Sequence, residues 1–371
     1  MSWGNVFFLT VAWIAGCLLL RKWPCCTRTE NPNRFDPVRI SLIIPARNEE
    51  INLAGLLKSV SSQSCRAHEI LVVNDHSEDR TAAVAVRFGA HVIESPPLPG
   101  GWTGKNWALH QGVQQARGDV FFFLDADTFF AVPHGFEKVR DTFLRSGGAV
   151  SVQPYHLPRD WIEQLSAFFN LIMAAATRGG FWGKSDSGLV GPSLIISRAD
   201  YERLGGHRSV KGRVLENLHL GQRARKIKMR CQTFNGKGAL NYRMYSGGIG
   251  DLVRGWSKAY FHGMTRVPWK VLALVFVWLV GMARTARLFA CSWIDDSLDP
   301  WFCGMAYAFF AGQSFLLFNE VGRFRVLTSL FYPVGYLFFL AMFLISIAMK
   351  SLGIKPGWKG RRVPGSSRKS P

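Results

Sequence analysis

Phe121-Phe122-Phe123-Leu124-Asp125-Ala126-Asp127-Thr128 joins an apolar run to two carboxylates in Asp-x-Asp spacing. The run reads as a buried strand, and the acids sit at its C-terminal end. Two close carboxylates repel, and taking them out of water costs desolvation energy, so a buried strand does not ordinarily end this way. A divalent cation carrying a phosphate-bearing ligand relieves the repulsion. Hard carboxylate oxygens suit Mg2+ or Mn2+, which keep positions open for substrate phosphates. The plainer reading is a strand-end turn with two solvated acids, and the surrounding sequence has to decide.

Upstream, Arg39-Ile40-Ser41-Leu42-Ile43-Ile44-Pro45 reads as a first strand, stopped by its proline. Asn48-Glu49-Glu50 then starts a helix with an Asn cap and early acids, placing Leu53, Leu56, Leu57 and Val60 on one face. Residues 69–75 form a second strand, 77–81 open a second helix, His91-Val92-Ile93 is a short third strand, and 105–116 is helical. This alternation predicts an α/β domain, its sheet mostly parallel with flanking helices and ligands at the strands' C-terminal ends. Asp75, Asp125 and Asp127 share that rim.

No Gly-x-Gly-x-x-Gly follows the first strand, and no P-loop Gly-Lys-Ser/Thr pattern occurs, so the usual dinucleotide and NTP phosphate cradles are missing. An acid at a strand end can instead accept from a nucleobase N–H or a ribose hydroxyl. An Asp-x-Asp pair can hold ribose and a metal-bridged diphosphate. The rim therefore describes a nucleotide-sugar site, with the base at Asp75 and the diphosphate at Asp125 and Asp127.

Ile43-Ile44-Pro45-Ala46-Arg47-Asn48-Glu49, Val73-Asn74-Asp75-His76-Ser77 and Leu124-Asp125-Ala126-Asp127 resemble, in order, the signatures of inverting family 2 glycosyltransferases of the GT-A fold. Residues 97–108, 151–156 and 163–170, with Tyr242-Arg243-Met244-Tyr245 and Arg254-Gly255-Trp256-Ser257-Lys258, are similar to the membrane-bound 4,4'-diaponeurosporenoate glycosyltransferases. The likeness covers about residues 39–265 and the membrane layout; glycosyltransferases of hopanoid and other polyisoprenoid lipids look similar here. It implies a UDP-sugar donor, with Asp75 on the uracil and Pro45, Ala46, Arg47, Asn48 and Glu49 as the nucleoside wall. It also implies Asp125 on the ribose and diphosphate, with Asp127 as the direct metal ligand beside it. Lys105 would lie near the donor, where a cation steadies departing UDP; a solvated lysine at a helix start is the alternative. Trp256 and Lys258 fall where related processive enzymes keep an Arg-Trp pair over the acceptor and leaving group. Arg254 or Lys258 could supply that cation, or simply snorkel at a membrane surface. The Gln-x-x-Arg-Trp motif of processive polymerases is not intact.

One position departs from the pattern. The relatives carry Glu-Asp where this chain has Glu216-Asn217, and that Asp is their expected general base. An amide cannot take a proton from a hydroxyl at neutral pH. Glu216 takes over if its helix turns it towards the acceptor. Alternatively the acceptor is a carboxylate, already ionised at neutral pH with a pKa of about 4 and needing little base assistance. The third reading is an impaired transferase that still binds nucleotide. The diaponeurosporenoate relatives keep the Asp although their acceptor is an acid. Neighbouring His219 reads as structural or solvated.

The whole chain, 371 residues with a formal charge of +20, has room for about two domains or one domain with membrane segments. From Trp3 to Leu20 there is no charge, and Arg21-Lys22 follow at once. The expectation is an uncleaved anchor over 1–22 that leaves the catalytic domain, 39–265, in the cytoplasm. Three more apolar stretches, about 269–290, 301–318 and 328–349, form a C-terminal membrane region over 269–350, and a basic tail closes the chain over 351–371. The loop of Arg323 and Arg325 should face the cytoplasm, and the acidic loop of Asp295, Asp296 and Asp299 should face out. Three crossings would strand the basic tail outside, so 269–290, with Lys270, Arg284 and Arg287, is expected to lie in the interface or re-enter.

Trp161, Leu165, Phe168, Phe169 and Ile172 recur at helical spacing, a stripe that packs on the sheet or lies on the bilayer. Arg213, Arg223, Arg225, Lys226, Lys228 and Arg230 suit an anionic membrane surface. With no aromatic interleaving and no nucleic-acid fold motif, nucleic acid is not an expected partner. The seven cysteines show no metal spacing, and a reduced domain needs no disulfides. Taken together these features predict a multi-pass enzyme of the cell membrane, an inverting transferase. It would move glucose from UDP-glucose to a lipid acceptor such as a carotenoid carboxylic acid.

Overall fold

The computed structural model describes residues 3–20, 23–29, 38–178, 188–245, 247–263, 267–352, 357–358 and 361–362. In chain order the elements begin with helix α1 (Trp3–Cys17), strand β1 (Ile40–Ala46), α2 (Glu50–Ser61), β2 (Glu69–Asn74), α3 (Thr81–Arg87), β3 (His91–Glu94), α4 (Gly104–Gln115) and β4 (Val120–Leu124). There follow β5 (Thr128–Phe130), α5 (Gly135–Ser146), β6 (Ala149–Gln153), β7 (Tyr155–His156), α6 (Trp161–Gln164), α7 (Ala167–Arg178), β8 (Ser193–Ser197), α8 (Arg198–Arg203) and α9 (Glu216–Lys226). Then come β9 (Cys231–Asn235), β10 (Leu240–Tyr242), α10 (Ile249–Gly263), α11 (Trp269–Cys291), α12 (Pro300–Val321), α13 (Val326–Leu330), α14 (Tyr332–Ser351) and the short strands β11 (Gly357–Trp358) and β12 (Arg361–Arg362), with a 3-10 turn at His207–Val210 before α9. They divide into two compact units. One comprises Pro24–Tyr155, Ser185–Arg243 and Gly353–Pro371, and the other Met1–Trp23, His156–Lys184 and Met244–Leu352.

The first unit is built on a seven-stranded sheet of order β3-β2-β1-β4-β8-β6-β9. β1 runs parallel to both β2 and β4, whereas β8 is antiparallel to β4 and β6. Period-two alternation buries β4 on both faces. Phe122 and Leu124 pack with Leu53, Leu56 and Val139, while Phe121 and Phe123 pack with Leu109, Tyr201 and Leu220. α4 approaches closely because residue 112 is glycine; a side chain there would run into Ile43 and Val73.

Two local expectations are corrected. Pro45 does not stop β1, which continues to Ala46 with Pro45 opposite Val73. β4 pairs with β1 only as far as Ile43, so beyond it one edge of β1 asks for no ladder bond and a proline is tolerated. Asn48 does not cap α2 either. Glu49 occupies that place without a side-chain cap, and Asn48 sits in the left-handed region at φ 52°, which asparagine tolerates better than most residues.

The second unit is helical. α11, α12 and α14 are each long and apolar enough to cross a membrane. Residues 269–291 form one uninterrupted helix, which corrects the re-entrant arm of that expectation. α1 is shorter than the expected span. Its 15 residues rise roughly 22 Å against a hydrocarbon core of about 30 Å. It packs on α11 where Gly281 leaves room for Ala12. A polar chain ties three helices together: Trp278 Nε1 donates to Gln313 Oε1 at 2.9 Å, and Gln313 Nε2 donates to the Trp13 carbonyl at 2.6 Å. Most of the aromatic stripe packs inside the helical unit. Phe168 and Phe169 are buried in α7 against Trp278, Phe318 and Phe339, while Trp161 stands 56 % exposed on α6. Arg21, Lys22 and most of the basic tail lie outside the described residues.

Candidate active site

The nucleoside wall predicted at residues 45–49 is knitted to the loop after β2. Asp75, 6 % exposed, donates its backbone N–H to the Ala46 carbonyl at 2.8 Å, and Arg47 Nη1 donates to the Asp75 carbonyl at 3.0 Å. Asn48 N–H donates to Ser77 Oγ at 3.0 Å, and Asn48 Oδ1 accepts from Glu78 N–H at 2.8 Å. Glu49 N–H reaches Thr81 Oγ1 at 2.8 Å, and its carboxylate accepts from Asn52 Nδ2 at 2.7 Å. Beneath them Asn74 Nδ2 donates to both Glu94 oxygens, at 3.0 and 2.9 Å. A loop crossed by this many bonds presents a fixed wall rather than a mobile one.

Asp125 and Asp127 leave the end of β4, both half-buried. Asp125 N–H donates to the Pro192 carbonyl at 3.0 Å, and the Asp127 carbonyl accepts from Arg243 N–H at 3.1 Å. Lys105, in the first turn of α4, reaches across to Asp125 Oδ1 at 2.6 Å and to Glu216 Oε1 at 2.7 Å. Thr103 caps that turn, accepting from Asn106 N–H at 3.4 Å. Burial pulls the Lys105 ammonium down, but the charges of Asp125 and Glu216 together outweigh it and hold the lysine above its ordinary range. Lys105, Asp125 and Glu216 thus form one cluster, and Lys105 is not a solvated lysine at a helix start.

Asn217 sits beside this cluster and 3 % exposed. Its Nδ2 donates to the Val190 carbonyl at 2.8 Å and to the Gly191 carbonyl at 2.9 Å. Gly191 O also lies 3.4 Å from Lys105 Nζ. The amide is therefore a latch on the segment entering β8, a task that an ionised Asp could not perform because it has no proton to donate.

Trp256 belongs to the helical unit. It is 4 % exposed, stacks on Phe169 at 4.6 Å and donates from Nε1 to Ser166 Oγ at 3.2 Å. A ring held this way is packing. The side chain of Lys258 lies outside the described residues.

Asn106 went unread in the sequence. Fully buried, it donates to the carbonyls of Val210 at 2.8 Å and Arg213 at 2.9 Å, fixing the segment that leads to α9 and Glu216. His207 was missed as well. Its Nδ1 lies 2.7 Å from Tyr201 Oη, whose oxygen also accepts the His207 backbone N–H at 2.9 Å. Burial first, then the charges of Lys105 and His110, push this imidazole down to about 3. The signal for Asn106 was its place next to Lys105; His207 carried none.

The model of glycosyl transferase family 2 matches residues 41–205. A 4,4'-diaponeurosporenoate glycosyltransferase of Staphylococcus haemolyticus is 31% identical over 330 residues, covering 87% of this chain and 88% of that protein. One from Staphylococcus aureus is 29% identical over 361 residues, covering 95% of each. Among solved structures, a mannosyltransferase from Pyrobaculum calidifontis, in complex with GDP-Man and Mn2+, shares the fold with a TM-score of 0.55. That match covers 94% of this chain and 96% of that one at 17% identity.

Proposed function

Because this chain belongs to glycosyl transferase family 2, we propose that it moves one hexose from a nucleotide-sugar to the carboxylate of a polyisoprenoid acid, such as a carotenoid acid, in the membrane. The observation that carries the acceptor class is the state of residues 216 and 217. Asn217 has both amide hydrogens engaged by carbonyls, and Glu216 is buried against Lys105. In this reading neither group takes up a proton. A hydroxyl nucleophile needs a base, whereas a carboxylate with a pKa of about 4 arrives ionised. The names of the Staphylococcus relatives, which specify an acid, support the same reading.

In the proposed step a carboxylate oxygen attacks the anomeric carbon while the bond to the diphosphate breaks, and the electron pair leaves with the nucleotide. A single displacement of this kind inverts the anomeric centre. UDP-glucose is the proposed donor, its uracil at Asp75 and its ribose and diphosphate at Asp125. Lys105 would meet the charge that develops on the leaving group.

Two carboxylates close the strand, and among the described residues no cluster of three or more His, Cys, Asp or Glu forms. That donor set fits a hard ion sharing its coordination with phosphate oxygens, Mn2+ or Mg2+. Asp127 would hold the ion, since Lys105 already binds Asp125. When bound, such an ion would offset charge on the departing diphosphate. The proposed layout is a multi-pass membrane protein with its transferase domain over 39–265 in the cytoplasm. The basic loop of Arg323 and Arg325 after α12 supports that orientation.

The test is UDP release by the full chain in detergent with UDP-glucose and Mn2+, offered a carotenoid carboxylic acid or its matched alcohol. Turnover on the acid alone, lost in Asp127→Ala, supports the reading. Equal turnover on the alcohol sinks the ionised-acceptor argument, and turnover only with GDP-mannose overturns the donor.

A further inference from the structure

We infer that a pocket in the helical unit, distinct from the residues assigned above, binds the phosphate headgroup of an anionic membrane phospholipid. The cavity, about 680 Å³, lies between the end of α12, the loop that follows it and the segment before α6. Its volume falls within the range of small-ligand sites, roughly 300–1,000 Å³. Arg159, Arg323 and Arg325 line it together with Phe315, Asn319 and Phe324, and among the described residues no carboxylate lines it. Among the described residues none of the three arginines is in an ion pair.

The arrangement is built, not a chance gathering of surface charge. Arg323 N–H donates to the His156 carbonyl at 2.8 Å, and Arg325 N–H donates to Gln164 Oε1 at 3.0 Å. Phe324 is buried edge-on to His156 at 5.6 Å. The Arg325 guanidinium lies 4.3 Å over the Trp161 ring and donates to the Arg159 carbonyl at 3.2 Å. Arg159 N–H is in turn held by Glu163 Oε2 at 2.6 Å. Three arginines thereby line one cavity, with the backbones of Arg159 and Arg323 and the guanidinium of Arg325 held in place, and among the described residues its walls supply no counter-charge. An anion with several acceptor oxygens is the complement, and guanidinium groups match phosphate oxygens in forked geometry.

The surroundings choose a lipid over a soluble phosphate. Phe315 and Asn319 belong to the last turns of α12, a helix long and apolar enough to cross a membrane. Leu316 is 68 % exposed beside them, and Val326, Leu327 and Phe331 are exposed just past the loop. A basic pocket at the end of a membrane helix, bordered by uncovered apolar side chains, suits a headgroup whose acyl chains run along the helix. This site stands apart from the transferase reading and does not depend on it.

The experiment is native mass spectrometry of the full chain in detergent, with phosphatidylglycerol and phosphatidylcholine in competition. Wild type should retain one phosphatidylglycerol with a preference of about tenfold or more. The double variant Arg159→Gln, Arg323→Gln should lose that preference, while Lys226→Gln, Lys228→Gln should keep it. Unchanged retention in the first variant overturns the proposal. Displacement of the lipid by inorganic phosphate would mark a soluble-anion site and overturn it too. Should the arginine variant fail to fold, diazirine-labelled phosphatidylglycerol on wild type decides. Adducts on residues 157–161 or 315–327 support the site, and adducts confined elsewhere refute it.

Discussion

Lys105 meets Asp125 through both carboxylate oxygens, Nζ to Oδ1 at 2.6 Å and to Oδ2 at 2.9 Å, while the same nitrogen holds Glu216. One cation therefore joins the end of β4 to the start of α9. Lys105→Met leaves Glu216, 3 % exposed, without its counter-charge, a loss of about 3–5 kcal/mol for a broken buried pair. Denaturation midpoints in detergent measure it. Adding Glu216→Gln should recover part of the loss; strictly additive losses would mean that the two residues are not coupled.

Asn217→Asp separates a latch from a missing base. The change puts a carboxylate against the carbonyls of Val190 and Gly191 in a site 3 % exposed, at a cost of about 1–3 kcal/mol for the buried groups left unsatisfied. Turnover at neutral pH should fall rather than rise, and it should recover partly in acid, where a protonated Asp can again donate. Steady-state rates on acid and alcohol acceptors check this. A gain on the alcohol at neutral pH would return position 217 to the role of base.

That contrast also shows what was readable in advance. The apolar run of β4 and the acids that end it announced themselves, because burial on both faces and paired carboxylates leave a pattern in neighbouring residues. The flanking strands and helices followed from the same local periodicity. Asn217 read as a lost base because its partners, the carbonyls of Val190 and Gly191, are backbone atoms without a sequence signature. Lys105 was legible as a cation close to the strand-end acids, but its bond to Glu216 depends on how α4 and α9 are brought together. The Phe168–Phe169 stripe had the right period and the wrong partner, since periodicity says that a face is buried and not against what.

His207 makes the fold sensitive to acid. Its imidazole, pushed down to about 3 chiefly by burial, titrates near 6.5 when unfolded. Below that value the unfolded chain takes up a proton that the folded chain refuses. Stability is therefore fully present above about pH 6.5 and falls as pH drops towards 3, by up to about 1.4 kcal/mol per pH unit. His207→Phe should be less stable at neutral pH, having lost the bond to Tyr201, yet lose less between pH about 7 and about 5. Equal losses in variant and wild type would remove His207 as the cause.

The pH profile of transfer tests the ionised acceptor without any substitution. A carotenoid acid is deprotonated well below neutrality, and Asn217 does not titrate. The pair of Asp125 and Glu216 keeps the Lys105 ammonium charged beyond its usual 10.5. With Mn2+ in excess, kcat/KM for the acid should then be level from about pH 6 to about pH 9. A transferase relying on a titrating base would instead show a rising limb of about one logarithmic unit per pH unit below that base's pKa. Such a limb near neutrality, with the acid as acceptor, would assign the proton to a protein group and end the argument from residues 216 and 217.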